Sequence, residues 1–133
     1  MSKTKEVFLG GTTNKSDWRD RLISMLEIEY FNPVVSEWNE AAQAKELDKR
    51  ANSDYVLYVI TPKMEGVYSI AEVIDDSNKR PEKTIFCVLP EDDTYIFTVH
   101  QMKSLVMTGR MVQANGGTVL KDLEEVANYL NTH

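Results

Sequence analysis

Residues 55–60 read YVLYVI, and the fold predicted from the sequence depends most on this apolar run. It consists of β-branched, aromatic and leucine side chains, and a Thr-Pro pair follows it. An unbroken run of this length that ends near a proline is typical of a strand covered on both faces of a sheet. Two similar runs lie at residues 7–9 (VFL) and 85–89 (IFCVL), and weaker strand candidates lie at 33–35 and 110–112.

Helical patterns lie between these runs. Ser16 and Asp17 are good N-cap residues for the first helix, and Asn39 is one for the second. The predicted helices cover residues 18–26, 41–51, 67–77, 97–107 and 119–130. Strand and helix thus alternate along the chain, which predicts a parallel sheet with helices on both faces. We expect a single α/β domain over residues 1–133, a flavodoxin-like three-layer sandwich whose five-stranded parallel sheet has the order 2-1-3-4-5.

Composition narrows the classes of function. The 133 residues carry a formal charge of −6, which argues against binding to a polymeric nucleic acid. No apolar run approaches the length of a membrane span and the N-terminus lacks a signal-peptide core, so a cytoplasmic protein without membrane contact is expected. Cys87 is the single cysteine and the histidines His100 and His133 are isolated, so neither a disulfide, a metal site nor a cofactor is predicted.

The predicted topology selects a site before any motif is considered. In a sheet of this order the ligand crevice lies outside the carboxyl ends of strands 1 and 3. The segments that fall there are GGTTN at 10–14 and TPKMEGVYS at 61–69. Gly10 and Gly11 allow a ligand to approach the backbone closely, although a tight turn would also explain them. Arg19 could reach an anion there or lie on the surface.

Glu72 is the candidate catalytic carboxylate. The apolar residues Val67, Ile70 and Ile74 share one helical face, and Glu72 lies on the polar side together with Tyr68. Periodicity alone therefore favours a solvated glutamate, whereas the fold places it beside the crevice. Both interpretations stay open at this point, as do base stacking and core packing for Trp38.

The pattern FLGGTTN…W…KELDKRANSDYVLYVITP…GVYSIAEV resembles the nucleoside 2-deoxyribosyltransferase-like superfamily over roughly residues 5 to 90. The resemblance implies that the loop of Gly10, Gly11 and Thr12 borders the sugar or its phosphate. It also implies that Glu46 holds sugar hydroxyls and that Glu72 is the nucleophile. In this family a tyrosine of the first strand often orients the nucleophile. The first strand has no tyrosine here, so Tyr68 would take that role. The remaining predicted substrate-binding residues are Asn14, Arg19, Trp38, Gly66 and Ser69.

The function implied by this resemblance is cleavage or transfer of the N-glycosidic bond of a nucleoside or nucleotide by a homodimer or higher homo-oligomer. Relatives have fewer residues between the loop glycine and the glutamate. In this chain, five residues separate Gly66 from Glu72. Two alternatives therefore stay open. One is hydrolysis of NAD-type dinucleotides, because TIR-domain NADases share the strand order and place a glutamate on the same helix. The other is a non-catalytic nucleotide-binding module.

Overall fold

The computed structural model describes residues 4–13, 15–35 and 37–133, and there the chain forms a three-layer α/β sandwich. The strands are β1 Glu6–Gly11, β2 Glu29–Phe31, β3 Tyr55–Ile60, β4 Thr84–Val88, β5 Glu91–Asp92, β6 Tyr95–Ile96 and β7 Thr118–Leu120. The helices are α1 Trp18–Ile23, α2 Glu40–Asn52, α3 Tyr68–Lys79, α4 Val99–Ala114 and α5 Leu123–Thr132, with a 3₁₀ turn at Pro81–Lys83.

The main sheet is parallel and, within the described residues, has five strands in the order β2-β1-β3-β4-β7. Since β7 is the fifth strand of this sheet along the chain, the predicted order 2-1-3-4-5 and the flavodoxin-like fold are confirmed. Strands β5 and β6 form a separate antiparallel hairpin that the sequence did not predict.

The central strand β3 is buried along its whole length, as its continuous apolar run predicts. Alternate side chains enter two cores, because successive residues of a strand point to opposite faces. One core packs Leu57 against Trp18 of α1 and Val126 of α5. The other packs Tyr58 against Val73 of α3.

The predicted second strand at residues 33–35 is wrong, because the structure has no strand there and places β2 at Glu29–Phe31. β2 lies at the edge of the sheet, where it pairs with β1 from Glu6↔Glu29 to Phe8↔Phe31. An edge strand of three residues buries little surface, so it shows no apolar run that sequence analysis could recognise.

The predicted fifth strand at residues 110–112 is also wrong, because this segment lies inside α4. A capping box of Thr98 and Gln101 starts α4, and its buried stripe of Leu105, Gly109 and Val112 carries the helix beyond the predicted end. The fifth strand of the sheet is Thr118–Leu120, which pairs with β4. The last helix consequently begins at Leu123 rather than at residue 119.

The first and third strands position the candidate site. Strand β1 lies between β2 and β3, and the chain leaves β1 towards α1 but leaves β3 towards α3, which packs on the other face. The carboxyl ends of β1 and β3 therefore flank the switch point of the sheet. Among the described residues, no helix is both long and apolar enough to cross a membrane.

Candidate active site

A cavity of about 270 Å³ opens at this switch point. Seven of the residues predicted from sequence line it, namely Gly10, Gly11, Arg19, Trp38, Glu46, Ser69 and Glu72. Thr12, Gly66 and Tyr68 line a neighbouring groove instead, which adjoins the cavity through Gly11 and Ser69. Asn14 lies outside the described residues.

The end of β1 forms the floor of the cavity, and two glycines are required there for steric reasons. A β-carbon on Gly10 would lie 2.7 Å from Cε1 of Tyr58. Gly11 has a φ of +119°, and a β-carbon there would lie 2.1 Å from the carbonyl oxygen of Val59. β1 can therefore lie this close to β3 only without side chains at these two positions.

Thr12 joins the loop after β1 to the end of β3. Its backbone N–H donates to the Val59 carbonyl at 2.9 Å, and its hydroxyl oxygen accepts from the Thr61 N–H at 3.0 Å. The side chain is buried, so this hydroxyl holds the loop in place rather than facing the cavity. Gly66, by contrast, is exposed and would have space for a side chain.

Arg19 is buried rather than lying on the surface. Its guanidinium donates to the carbonyl oxygens of Leu9 at 3.0 Å and Thr12 at 2.6 Å, and more weakly to that of Gly11 at 3.4 Å. It also lies over the ring of Trp18. Burial lowers the pKa of Arg19 to about 10, which still leaves it positively charged at neutral pH. Arg19 thus fixes the glycine loop and contributes a positive charge to the cavity wall.

Glu72 projects from the second turn of α3 into the cavity. Its side chain is only 11% exposed, and burial raises its pKa to about 7. Arg50 lowers this pKa, whereas the nearby carboxylates Glu46 and Asp76 raise it further. Glu72 is therefore partly protonated at neutral pH, which is a property often found in catalytic carboxyl groups.

Glu46 faces the same cavity from α2. Burial raises its pKa, and Arg50, one helical turn later, opposes that shift. Glu46 and Glu72 thus present two carboxyl groups from two different helices to one cavity. The charge of Glu46 disfavours ionisation of Glu72 and so helps to raise the pKa of Glu72.

Sequence reasoning missed a buried network behind these two glutamates. Asp76 is fully buried on α3 and receives hydrogen bonds from the Arg50 Nε at 3.3 Å and Nη2 at 3.1 Å. It also accepts hydrogen bonds from the Tyr58 hydroxyl and from Arg80. The available signal was i, i+4 spacing, above all that of Asp76 with Arg80, and this spacing also occurs on ordinary solvated helices.

The outer wall of the cavity is apolar. Pro33, Val34 and Val35 line it together with Trp38, whose ring is 57% exposed. Trp38 therefore does not belong to the core, and its indole is available to a ligand. An apolar and aromatic wall opposite two carboxylates suits a ligand with one flat, weakly polar part and one part rich in hydroxyl groups. In the described parts of the chain, no group of three or more His, Cys, Asp or Glu side chains could hold a metal ion.

These observations define a flavodoxin-like α/β domain with an acidic cavity at its switch point. The chain belongs to the nucleoside 2-deoxyribosyltransferase-like family, because the model of the family described as nucleoside 2-deoxyribosyltransferase like matches residues 4–91. This span covers every cavity-lining residue named above and confirms the resemblance. No curated protein and no solved structure matches the chain.

Proposed function

We propose that the protein cleaves or transfers the N-glycosidic bond of a nucleoside or nucleotide and that Glu72 is its nucleophile. The observation that carries this proposal is the position of the Glu72 carboxyl group in a cavity at the switch point, with a pKa raised to about 7. Membership of the nucleoside 2-deoxyribosyltransferase-like family supports glycosyl transfer as the class of reaction.

In the proposed reaction, ionised Glu72 attacks the anomeric carbon of the sugar. The C–N bond breaks, its electron pair leaves with the base, and the base takes up a proton from solvent, to which the attacking water or second base later returns one. The positive charge that develops on the sugar is stabilised by the nearby carboxylate, as in retaining glycosidases. The resulting glycosyl ester is then attacked by water, which completes hydrolysis, or by a second base, which completes transfer.

The other cavity residues have binding roles in this proposal. Glu46 accepts hydrogen bonds from sugar hydroxyls, and Trp38 packs against the base. The Gly10–Gly11 backbone borders the sugar or its phosphate, with the charge of Arg19 behind it. Ser69, Thr12, Gly66 and Asn14 remain predicted substrate-binding residues.

Tyr68 remains a predicted assistant of Glu72, although its ring is 74% exposed and lines the neighbouring groove. Tyr68→Phe tests it directly. A large loss of turnover with unchanged substrate binding would support the role, and full turnover would remove it.

The experiment is incubation of the protein with four substrate sets, followed by chromatography of the products. The sets are deoxynucleosides, ribonucleosides, their 5′-monophosphates and NAD, each with and without a second free base. We expect release of free base or exchange of bases, and a loss of about a thousandfold or more in Glu72→Gln. Glu124→Gln on α5 is the matched control, because this glutamate is exposed and lies away from the cavity. Full turnover by Glu72→Gln would refute the role of Glu72.

The same experiment separates the alternatives. Consumption of NAD with release of nicotinamide would favour a dinucleotide glycohydrolase, although a cavity of about 270 Å³ suits a smaller ligand. A ligand that raises the melting temperature without being consumed would favour a non-catalytic binding module.

Two further expectations from the sequence are kept as proposals. The first is a homodimer or higher homo-oligomer, which light scattering on the purified protein measures. The second is a cytoplasmic location, which fractionation of the producing cells measures.

A further inference from the structure

The contact between Arg50 and Glu72 joins α2 to α3 beside the cavity. Arg50 Nη1 lies 3.4 Å from Oε2 of Glu72, and both side chains are nearly buried, at 10% and 11% exposure. Among the described residues, this is the ion pair that Glu72 makes, and the same Glu72 side chain lines the cavity.

The guanidinium of Arg50 is itself held by two carboxylates of α3. Two of its nitrogens bond to Asp76, and Asp75 lies 3.5 Å from Nη2. Because Asp76 is fully buried and also accepts from Tyr58, the guanidinium has one preferred orientation, in which Nη1 points to Glu72. A planar guanidinium engaged on one edge presents its remaining donors in a fixed direction.

The charges around Glu72 show why this contact matters. The charged and titratable groups that face it or share its cavity are Glu46 and Arg50 of α2, Asp76 of α3, Tyr58 of β3 and Arg19 of α1. Burial and two of these carboxylates favour the protonated form of Glu72, and Arg50 favours the ionised form. A protonated glutamate is a poor nucleophile. The balance between burial, the neighbouring carboxylates and Arg50 therefore decides how much active enzyme exists at neutral pH.

We propose that Arg50 is a positioning residue: Asp76 anchors its guanidinium, which holds the Glu72 carboxyl group at the cavity wall and favours its ionised form. For its consequence in catalysis, this inference rests on the proposed function. Arg50 does not line the cavity and is not assigned a contact with the substrate.

A purely structural role for Arg50 predicts different results. If Arg50 served only to neutralise Asp76, its loss would lower stability and leave the titration of Glu72 unchanged. The titration midpoint of Glu72 therefore distinguishes the two roles, and overall stability does not.

The test is a carboxyl-carbon NMR titration of Glu72 in the wild type, Arg50→Met and Arg50→Lys, with a pH profile of turnover for the same proteins. In Arg50→Met we expect the Glu72 midpoint to rise by about one unit or more. The acid limb of kcat should move in the same direction, with kcat at pH 7 lower by about fivefold or more and KM changed less than about twofold. Arg50→Lys keeps the positive charge but loses the paired donors of the guanidinium. It should therefore restore part of the Glu72 midpoint and part of kcat.

Arg80→Gln is the matched control. Arg80, the C-cap residue of α3, contacts the same Asp76 carboxylate, and among the described residues no ion pair joins it to Glu72. This variant removes a cation from Asp76 and should lose stability, while the Glu72 midpoint stays within a few tenths of a unit.

Each outcome decides the proposal. An unchanged Glu72 midpoint in Arg50→Met, or a loss of kcat that is equal at all pH values, would overturn it. If Arg50→Met does not fold, the titration of Glu72 in Arg50→Lys decides instead. A lysine loses the paired bonds to Asp76, so a Glu72 midpoint that stays at the wild-type value would show that positioning is not needed. If the wild type turns over no N-glycoside, the proposed function fails, while the NMR titration still shows whether Arg50 keeps Glu72 ionised.

Discussion

The hydroxyl of Tyr58 donates a hydrogen bond to Asp76, and both side chains are fully buried. This bond joins the central strand β3 to α3, the helix that carries Glu72. Burial raises the pKa of Tyr58, and the carboxylates of Asp76 and Glu72 raise it further against the opposing charge of Arg50, so the phenol stays protonated and acts as a donor. The position of the candidate nucleophile thus depends on a polar network built inside an otherwise apolar core.

Removal of single members of this network should have unequal effects on stability. Tyr58→Phe removes one donor and leaves Asp76 with its arginines, so we expect a loss of about 1–2 kcal/mol. Asp76→Ala leaves Arg50 buried without its main partner, so we expect a loss of about 3–5 kcal/mol. Urea unfolding measures both. Tyr68→Phe is the control, because this ring is exposed and its loss of a hydroxyl should change stability by less than about 0.5 kcal/mol. Equal losses for Tyr58→Phe and Tyr68→Phe would contradict the network.

The two loops of the site should respond differently to the same glycine substitution. Gly11→Ala places a β-carbon against the Val59 backbone at a positive φ, so a loss of about 3 kcal/mol or more is expected. Gly66→Ala has no atom within 4 Å of its new β-carbon and should be neutral or stabilising by up to about 1 kcal/mol. Thermal unfolding of the two variants compares them directly, and a severe loss in Gly66→Ala would contradict the structure.

The raised pKa of Glu72 predicts that its effect on stability depends on pH. The folded protein holds this pKa at about 7, against 4.5 for the free side chain. Below about pH 4.5 the group is neutral in both states, whereas above pH 7 it is ionised in both and its burial is unfavourable. Glu72→Gln should therefore gain stability over the wild type as the pH rises from 4.5 to 8, by on the order of 3 kcal/mol. Unfolding at several pH values measures this gain, and a constant stability difference across this range would contradict the buried position of Glu72.

Trp38 should affect substrate binding and not the fold. Its indole is 57% exposed on the cavity wall, so Trp38→Ala should change stability by less than about 0.5 kcal/mol. Loss of a stacking surface for the base should raise KM by about tenfold. Steady-state kinetics with the substrate found in the incubations measures this change. Tyr95→Ala removes a ring of similar exposure outside the cavity, and an equal rise in KM there would argue against a specific role for Trp38.

The two strands of the main sheet that sequence analysis misplaced share one property. β2 and β7 have only three residues each, and none of their side chains is fully buried. Edge strands of this length take their hydrogen bonds from a neighbour that is already in place, so the local sequence carries little information about them. The weak candidates at 33–35 and 110–112 contain apolar residues that the structure uses in the cavity wall and in α4.

Hydrophobic periodicity was enough to predict the buried strands, the alternation of strands and helices and hence the switch point of the sheet. These follow from periodicity and from the handedness of parallel connections, which act locally or by general rule. Only the tertiary structure decided that Glu72 is buried, that Arg19 fixes the glycine loop and that Tyr68 lies in a neighbouring groove. The physical reason is that the burial and ionisation of a side chain depend on which charges the packing of α2 and α3 brings together. Arg50 and Asp76 are 26 positions apart in the chain but form an ion pair in the fold.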